Sequence, residues 1–446
     1  MSAMRKPKIT HYLLLLVAAC WGSVQGEGPN GPAPLPEPLT LSYALSLADE
    51  NHPALERHRA QMEAGDAERL MLSAQTGFKA GVEARLLAIE PSYLSTNQSR
   101  NNSSLKLRLS KQLYDAGRNE WDIQAASHDQ TGREWGYLDA RQKRYLDIMA
   151  RYFDVLLADM RYLRDDEVMT VAFLRWNKLR DVTELGRVSD LDLLERESTF
   201  NRELRQRTLT QHQQRATRSR LAMSLNRPEN LSAELEKPTL PSLDRELSEV
   251  SDLVKVVLES NPRLKSMRAR VDAASARVDA ARAGGGMVIR GEMALAGYNR
   301  ATGSTHPLSA GLVMELPLSN GGAVDAAVAK QRALLHEQRA LLAQGKMDLR
   351  QTVLDLWLEI SALKVEQQEV EVLGAYRELY LDRSRALYEH ELQSNLGDAA
   401  SKTVTYQLRK DQVEFNLELA WARLDALSGS LLQLAAGKNN GEKTDD

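Results

Sequence analysis

This chain of 446 residues has one cysteine, 14 prolines and no long apolar run, and each shortage excludes something. With Cys20 alone, no internal disulfide can form, so stability must come from packing. The one compact apolar run, residues 12–19, is too short to span a bilayer as a helix. No other segment approaches the roughly eighteen apolar residues that a spanning helix needs. A chain of this kind can cross a membrane only with strands. Charge of one sign is also missing: 58 Lys and Arg offset 61 Asp and Glu, for a net charge of -3. The charges are mixed and form no basic block, which argues against a nucleic-acid partner. Motifs for chemistry are absent too. The eight histidines show no zinc-site spacing, and the methionines are scattered. No phosphate-cradling glycine loop and no Ser/His/Asp grouping stands out. Neither a cofactor nor an enzyme is expected.

What is present is a folded composition, 43% hydrophobic and 27% charged, arranged as a repeat. Glu50-Asn51-His52-Pro53-Ala54-Leu55 returns as Glu259-Ser260-Asn261-Pro262-Arg263-Leu264. Each copy opens a helix, since a first-turn proline loses no helical hydrogen bond. Each helix leads to alternating strands, then to a turn: Tyr114-Asp115-Ala116-Gly117-Arg118 and Ser319-Asn320-Gly321-Gly322-Ala323. An apolar ladder of Tyr145, Met149, Tyr152 and Leu156 matches Leu349, Val353, Leu356 and Ile360, which pairs Gly117 with Gly321. That register is 204 residues, against 209 for the Pro53/Pro262 pair, and implies a loss of five residues in a surface loop.

Gly77 and Gly81 are expected to break the first helix near Gln75. Val82, Ala84 and Leu86 then alternate with Glu83 and Arg85, and Leu105, Leu107 and Leu109 with Lys106, Arg108 and Ser110. The second repeat has a strand within 287–298 and another with Leu312, Met314 and Leu316 on one face. Such alternation gives one apolar face and one wet face. On this pattern alone a small soluble sheet half covered by helices is the simpler reading. Four strands are too few to close a barrel, which takes about eight. They can close one only with other copies of the chain.

The long proline-free stretches alter the balance. Residues 119–183 and 323–390 each predict a helix roughly 100 Å long at 1.5 Å per residue. Leu342, Leu349, Leu356, Leu363 and Val370 recur every seven residues, a seam that pairs helices side by side. Each long helix should turn and return. Gly186 fits a C-cap, and Ser189 or Asp190 the next N-cap. The short helix from Pro53 and the return helix to Asn226, laid end to end, match the long one in length, as the wall of a hollow cylinder requires.

The expected division follows. Residues 1–26 are a signal peptide, 27–38 an extended arm, and 39–230 a first repeat with strands within 80–112 and a hairpin tip at 184–190. Residues 231–250 are a linker at mid-height, 251–430 a second repeat with strands within 287–317 and a tip at 391–399, and 431–446 a flexible tail. In the leader, Leu16-Val17-Ala18-Ala19-Cys20 is similar to a lipobox, whose cysteine is lipidated. Ordinary cleavage after Val24-Gln25-Gly26 would instead discard Cys20, and the sequence leaves both open.

Order and spacing of these parts resemble the outer membrane efflux protein family, the TolC-like channels, over essentially the whole mature chain. The carriers are the two repeats, their Pro-led helix starts, Leu113-Tyr114-Asp115-Ala116-Gly117-Arg118, and the tip Leu185-Gly186-Arg187-Val188-Ser189. The resemblance implies a mainly α fold with a small β part: long coiled-coil hairpins, and four strands per protomer given to a twelve-stranded barrel shared by a homotrimer. It implies outer-membrane lipid around the barrel and a helical tunnel in the periplasm. It also implies a periplasmic adaptor (a membrane fusion protein) at the tips, and an inner-membrane pump of the RND or ABC type. Leu185, Gly186, Val188 and Ser189 are the candidate adaptor contacts, with Leu396 and Gly397 at the second tip, where the glycine falls later. Asp398, Asp382, Glu389 and Glu391 are candidates for the pore aperture, since a trimer turns each into a ring of three. A solvated acid is the plainer reading of each one, and an N-cap that of Asp398. A periplasmic coiled-coil scaffold that never inserts is the competing function.

Overall fold

The computed structural model describes residues 35–50, 52–184, 189–228, 234–301, 305–390 and 396–432. The leader with Cys20 and most of the C-terminal tail lie outside the described residues.

Helix α1 (Leu41–Ser46) is capped by the Thr40 hydroxyl, which accepts the Tyr43 N–H, and a 3-10 turn follows at Leu47–Asp49. In α2 (Pro53–Ala74) the His52 ring is the cap. Strands β1 (Phe78–Arg85) and β2 (Ser104–Tyr114) precede α3 (Arg118–Glu184), and α4 (Asp190–Ser224) returns. After the linker come α5 (Val250–Ser260) and α6 (Pro262–Ala283), the latter capped by Asn261, whose Oδ1 accepts the Leu264 N–H at 3.0 Å. Strands β3 (Val288–Tyr298) and β4 (Leu308–Glu315), then α7 (Ala323–Glu389) and α8 (Leu396–Ser428), complete the second repeat. The long helices α3 and α7 are both 67 residues, and α2 and α6 are both 22. All four strands form one antiparallel sheet in the order β1-β2-β3-β4.

Three sequence expectations need correction. Gly81 does not break a helix but lies inside β1, where it pairs with Arg108, and only Gly77 sits in the turn. Leu86 falls one residue past the end of β1. The repeat register is 205 residues, not 204. Gly117 and Gly322 share φ 82, and α3 and α7 begin one residue later, at Arg118 and Ala323. The gap from the 209-residue proline offset is therefore four residues. The ladder misled by one position because α3 is buried on several sides. Ile148, Met149, Tyr152, Phe153 and Val155 are all buried, so its apolar surface is too broad to fix one register.

The corrected register pairs Tyr152 with Trp357, and both hold chain that crosses the helices at the waist. The Tyr152 hydroxyl lies 2.7 Å from the Leu39 carbonyl and 2.6 Å from that of Glu236, while Trp357 Nε1 donates to Ser248 O at 3.0 Å. Arg245 reaches from the linker to Asp425 at 2.9 Å and covers the Trp421 ring. The principal core sits at this level. Phe153 stacks on Phe415 at 4.5 Å among Leu39, Leu221 and Leu225, and Trp421 packs with Ile360 and Leu417. Burying such side chains contributes about 1.5–3 kcal/mol each, so the waist is a principal anchor of the fold.

The sheet joins the helices through close backbone contact. A Cβ at Gly286, in the α6–β3 turn, would overlap that of Ala116 in the β2–α3 turn, so only glycine lets the two repeats abut there.

Candidate functional site: a two-faced sheet and the hairpin tips

The sheet's alternation runs through all four strands, apart from a bulge at Gln112/Tyr114 and Val313 on the polar face. One face carries Val82, Leu105, Leu107, Leu109, Leu295 and Leu312, all more than a third exposed in the single chain. The only charge on that face is Lys111, whose ammonium lies 4.7 Å from the centroid of the Phe78 ring at the helix end of the sheet. A lysine stem can lie along apolar surface there while its head reaches water. The opposite face is polar. Glu83 pairs with Arg85 at 3.2 Å and Arg108 at 3.5 Å, and Arg290 pairs with Glu315.

Outer strands β1 and β4 are both eight residues long and have no partner on their free sides among the described residues. At the crest the loops of the two repeats hold each other. Arg300 donates to Asn97 O at 2.8 Å, and Asn97 Nδ2 to Ala301 O at 3.1 Å.

The tips lie at the opposite ends of the long helices. Ser189 caps α4, its hydroxyl accepting the Leu191 N–H at 3.2 Å, which selects it over Asp190. Leu185, Gly186, Val188 and Glu391 lie outside the described residues. Leu396 and Gly397 begin α8. A Cβ at Gly397 would come within 3.0 Å of Val171 Cγ2, so this glycine lets α8 approach α3. Asp398, in the first turn of α8, accepts a hydrogen bond from Arg175 Nη2 of α3 at 2.7 Å. Asp382 is exposed, 3.8 Å from Arg385, and Glu389 is the exposed last residue of α7. Asp398 is thus paired across to α3, and Asp382 more loosely along its own helix.

Two features near the tips were missed from the sequence. Arg175 had no local pattern to mark it. Phe173, Trp176 and Phe200 form a cluster between α3 and α4, with Trp176 stacked on Phe200 at 5.3 Å. The i,i+3 spacing of the first two was visible, but the third lies across the hairpin.

No described helix is long and apolar enough to cross a membrane. A sheet with one apolar face, set on long paired helices, is the fold of the TolC-like channels, built of strands and helical hairpins. The CmeC outer membrane channel of Campylobacter jejuni has this fold at TM-score 0.71 and 12% identity, with 99% of this chain and 98% of that one covered. The open-state MtrE outer membrane channel of Neisseria gonorrhoeae matches at TM-score 0.67 and 16% identity, over 88% of this chain and 89% of that one. A membrane protein of Pseudomonas aeruginosa matches at 0.72 and 18%, over 87% and 90%. No curated protein matches the chain in sequence. Residues 253–430 match the family model described as Outer membrane efflux protein.

Proposed function

We propose that three copies of the chain assemble into a passive exit duct across the outer membrane of a Gram-negative cell. The observation that carries this is the open sheet. Its leucine-rich face needs lipid or protein, and its two unpaired edges leave backbone N–H and C=O groups that lipid cannot satisfy. The strands run β1 up, β2 down, β3 up, β4 down, so β4 of one copy can pair antiparallel with β1 of the next. Three copies then supply about twelve strands, enough to enclose an open interior.

A second apolar stripe supports self-assembly. Leu358, Val365, Val372 and Leu379 are spaced by seven along α7 and are 52, 67, 73 and 71% exposed. They stand two positions on from the buried ladder, about 200° around the helix, facing away from α8. Since α7 continues directly from β4, a neighbour on that edge would cover both.

Residues 1–26 direct export, and the helices hang into the periplasm. The tips at Leu185, Gly186, Val188 and Ser189, with Leu396 and Gly397, dock a periplasmic adaptor. An inner-membrane pump supplies the energy. Asp382, Glu389, Glu391 and Asp398 surround the inner mouth. The scaffold alternative leaves the apolar face of the sheet without an occupant. Two measurements test the reading. Detergent-extracted outer membrane should yield a trimer whose gel mobility changes on heating, and the purified protein should open steps of current in planar bilayers. A detergent-indifferent monomer in the periplasmic fraction sinks it.

A further inference from the structure

We infer that the strand section of the duct is an anion-favouring filter centred on Arg108. The inference rests on the trimeric reading and adds the class of solute that the passage favours. With the leucine face turned to lipid, every residue paired across the other face points into the lumen. The bases there are Lys79, Arg85, Lys106, Arg108 and Arg290. The acids are Glu83, Glu292 and Glu315. Five against three leaves an excess of two positive charges per chain, tripled by symmetry, although the whole chain is at -3.

The arrangement by rows sharpens this. Arg108 pairs with Gly81 on one side and Ala294 on the other, and Ala294 with Ser309. In that row nothing but Arg108 extends from the wall, and its side chain is 57% exposed. Its one acidic neighbour, Glu83, is 3.5 Å away and shared with Arg85, so a single carboxylate faces two guanidiniums. One row nearer the helices, Lys79 and Glu292 both flank Ser110, and neither has an ion-pair partner among the described residues. Lys106 lies 5.7 Å from the centroid of the Tyr298 ring, a contact that leaves its charge uncancelled. A threefold ring of arginine on the wall of the passage favours carboxylate, phosphate or sulfonate solutes over cations.

Reversal potentials of the purified channel in a planar bilayer under a KCl gradient test this. Lys79→Gln and Arg108→Gln should each move the reversal potential toward that of K+. Glu292→Gln, in the same row as Lys79, should move it toward that of Cl-. Loss of a merely structural contact would not give shifts of opposite sign from one row, and neither Lys79 nor Glu292 has an ion pair to lose. Reversal potentials unmoved by all three, or moved in one common direction, overturn the filter. A wild-type protein that forms trimers but passes no current overturns the channel reading instead.

Discussion

At the scale of single residues, the two repeats solve the same problem with different chemistry. His52 and Asn261 both cap a proline-led helix, but only the histidine titrates. Its Nδ1 accepts the Ala54 N–H at 3.2 Å and must be unprotonated to do so. Burial, and then the Arg144 guanidinium, hold its pKa below the ordinary 6.5. As pH falls through 6.5 the unfolded chain takes up the proton first, so this contribution to stability is present above that value and lost below it. His58, also lowered by burial and by Arg57, adds in the same direction. The wild type should therefore lose Tm between about pH 7.5 and 5.5, and His52→Asn, which keeps a cap, should lose less. An identical slope for both proteins would remove His52 from the account. A second residue-scale prediction concerns Gly374 in α7. A Cβ there would overlap the Tyr406 hydroxyl and lie 2.6 Å from Cζ, in the middle of α7–α8 packing. Alanine gains about 1 kcal/mol of helix propensity, but overpacking costs about 1–3 kcal/mol. Gly374→Ala should lower the thermal midpoint, and Tyr406→Ala added to it should restore part of the loss. A rise in the single variant would show that the ring moves aside freely.

At the scale of elements, the sequence was legible where one periodicity dominates. The long helices, their returns and the paired strands lie within a few residues of where proline, glycine and alternation put them. Register was harder, because the broad apolar surface of α3 fits a one-residue slip while the left-handed turn at Gly117 does not. The site divided in the same way. Ser189 as a cap and the wet face of the strands could be read locally. The Arg175–Asp398 pair spans 223 positions, and nothing local announces it. The exposed stripe on α7 was also hidden, since only a folded chain shows which of two interleaved heptads is already occupied. That stripe gives the prediction for this scale. Val365→Glu together with Val372→Glu leaves the buried ladder of Leu356, Leu363 and Val370 untouched. The double variant should keep its helical circular dichroism but lose the trimer in detergent, as read by light scattering. A normal trimer would mean that neighbouring copies do not meet along α7.

At the scale of the whole molecule, the proposed duct puts its two ends in different solvents, lipid around the sheet and water around the helices. The helices are anchored to one another at the waist. The sheet is short, with little interior of its own, and closes only by adding strands. The free edge of β4 shows how to interrupt that step alone. Ala296 donates to Pro307 O at 2.7 Å, which makes Leu295 and Leu308 a non-hydrogen-bonded pair and turns the Ser309 N–H toward β3. The next N–H, that of Ala310, therefore points outward to where the following copy would lie. Proline at position 310 deletes that donor and sets its ring against an incoming strand, while every β3–β4 hydrogen bond remains. Ala310→Pro should thus fold its helices normally, fail to form the heat-modifiable trimer and pass no current. Ser309→Pro, one position earlier, removes a donor within the chain's own sheet and should disturb the monomer as well. If Ala310→Pro assembled and conducted like the wild type, the wall would not be closed through this edge, and the sheet would need another occupant for its leucine face.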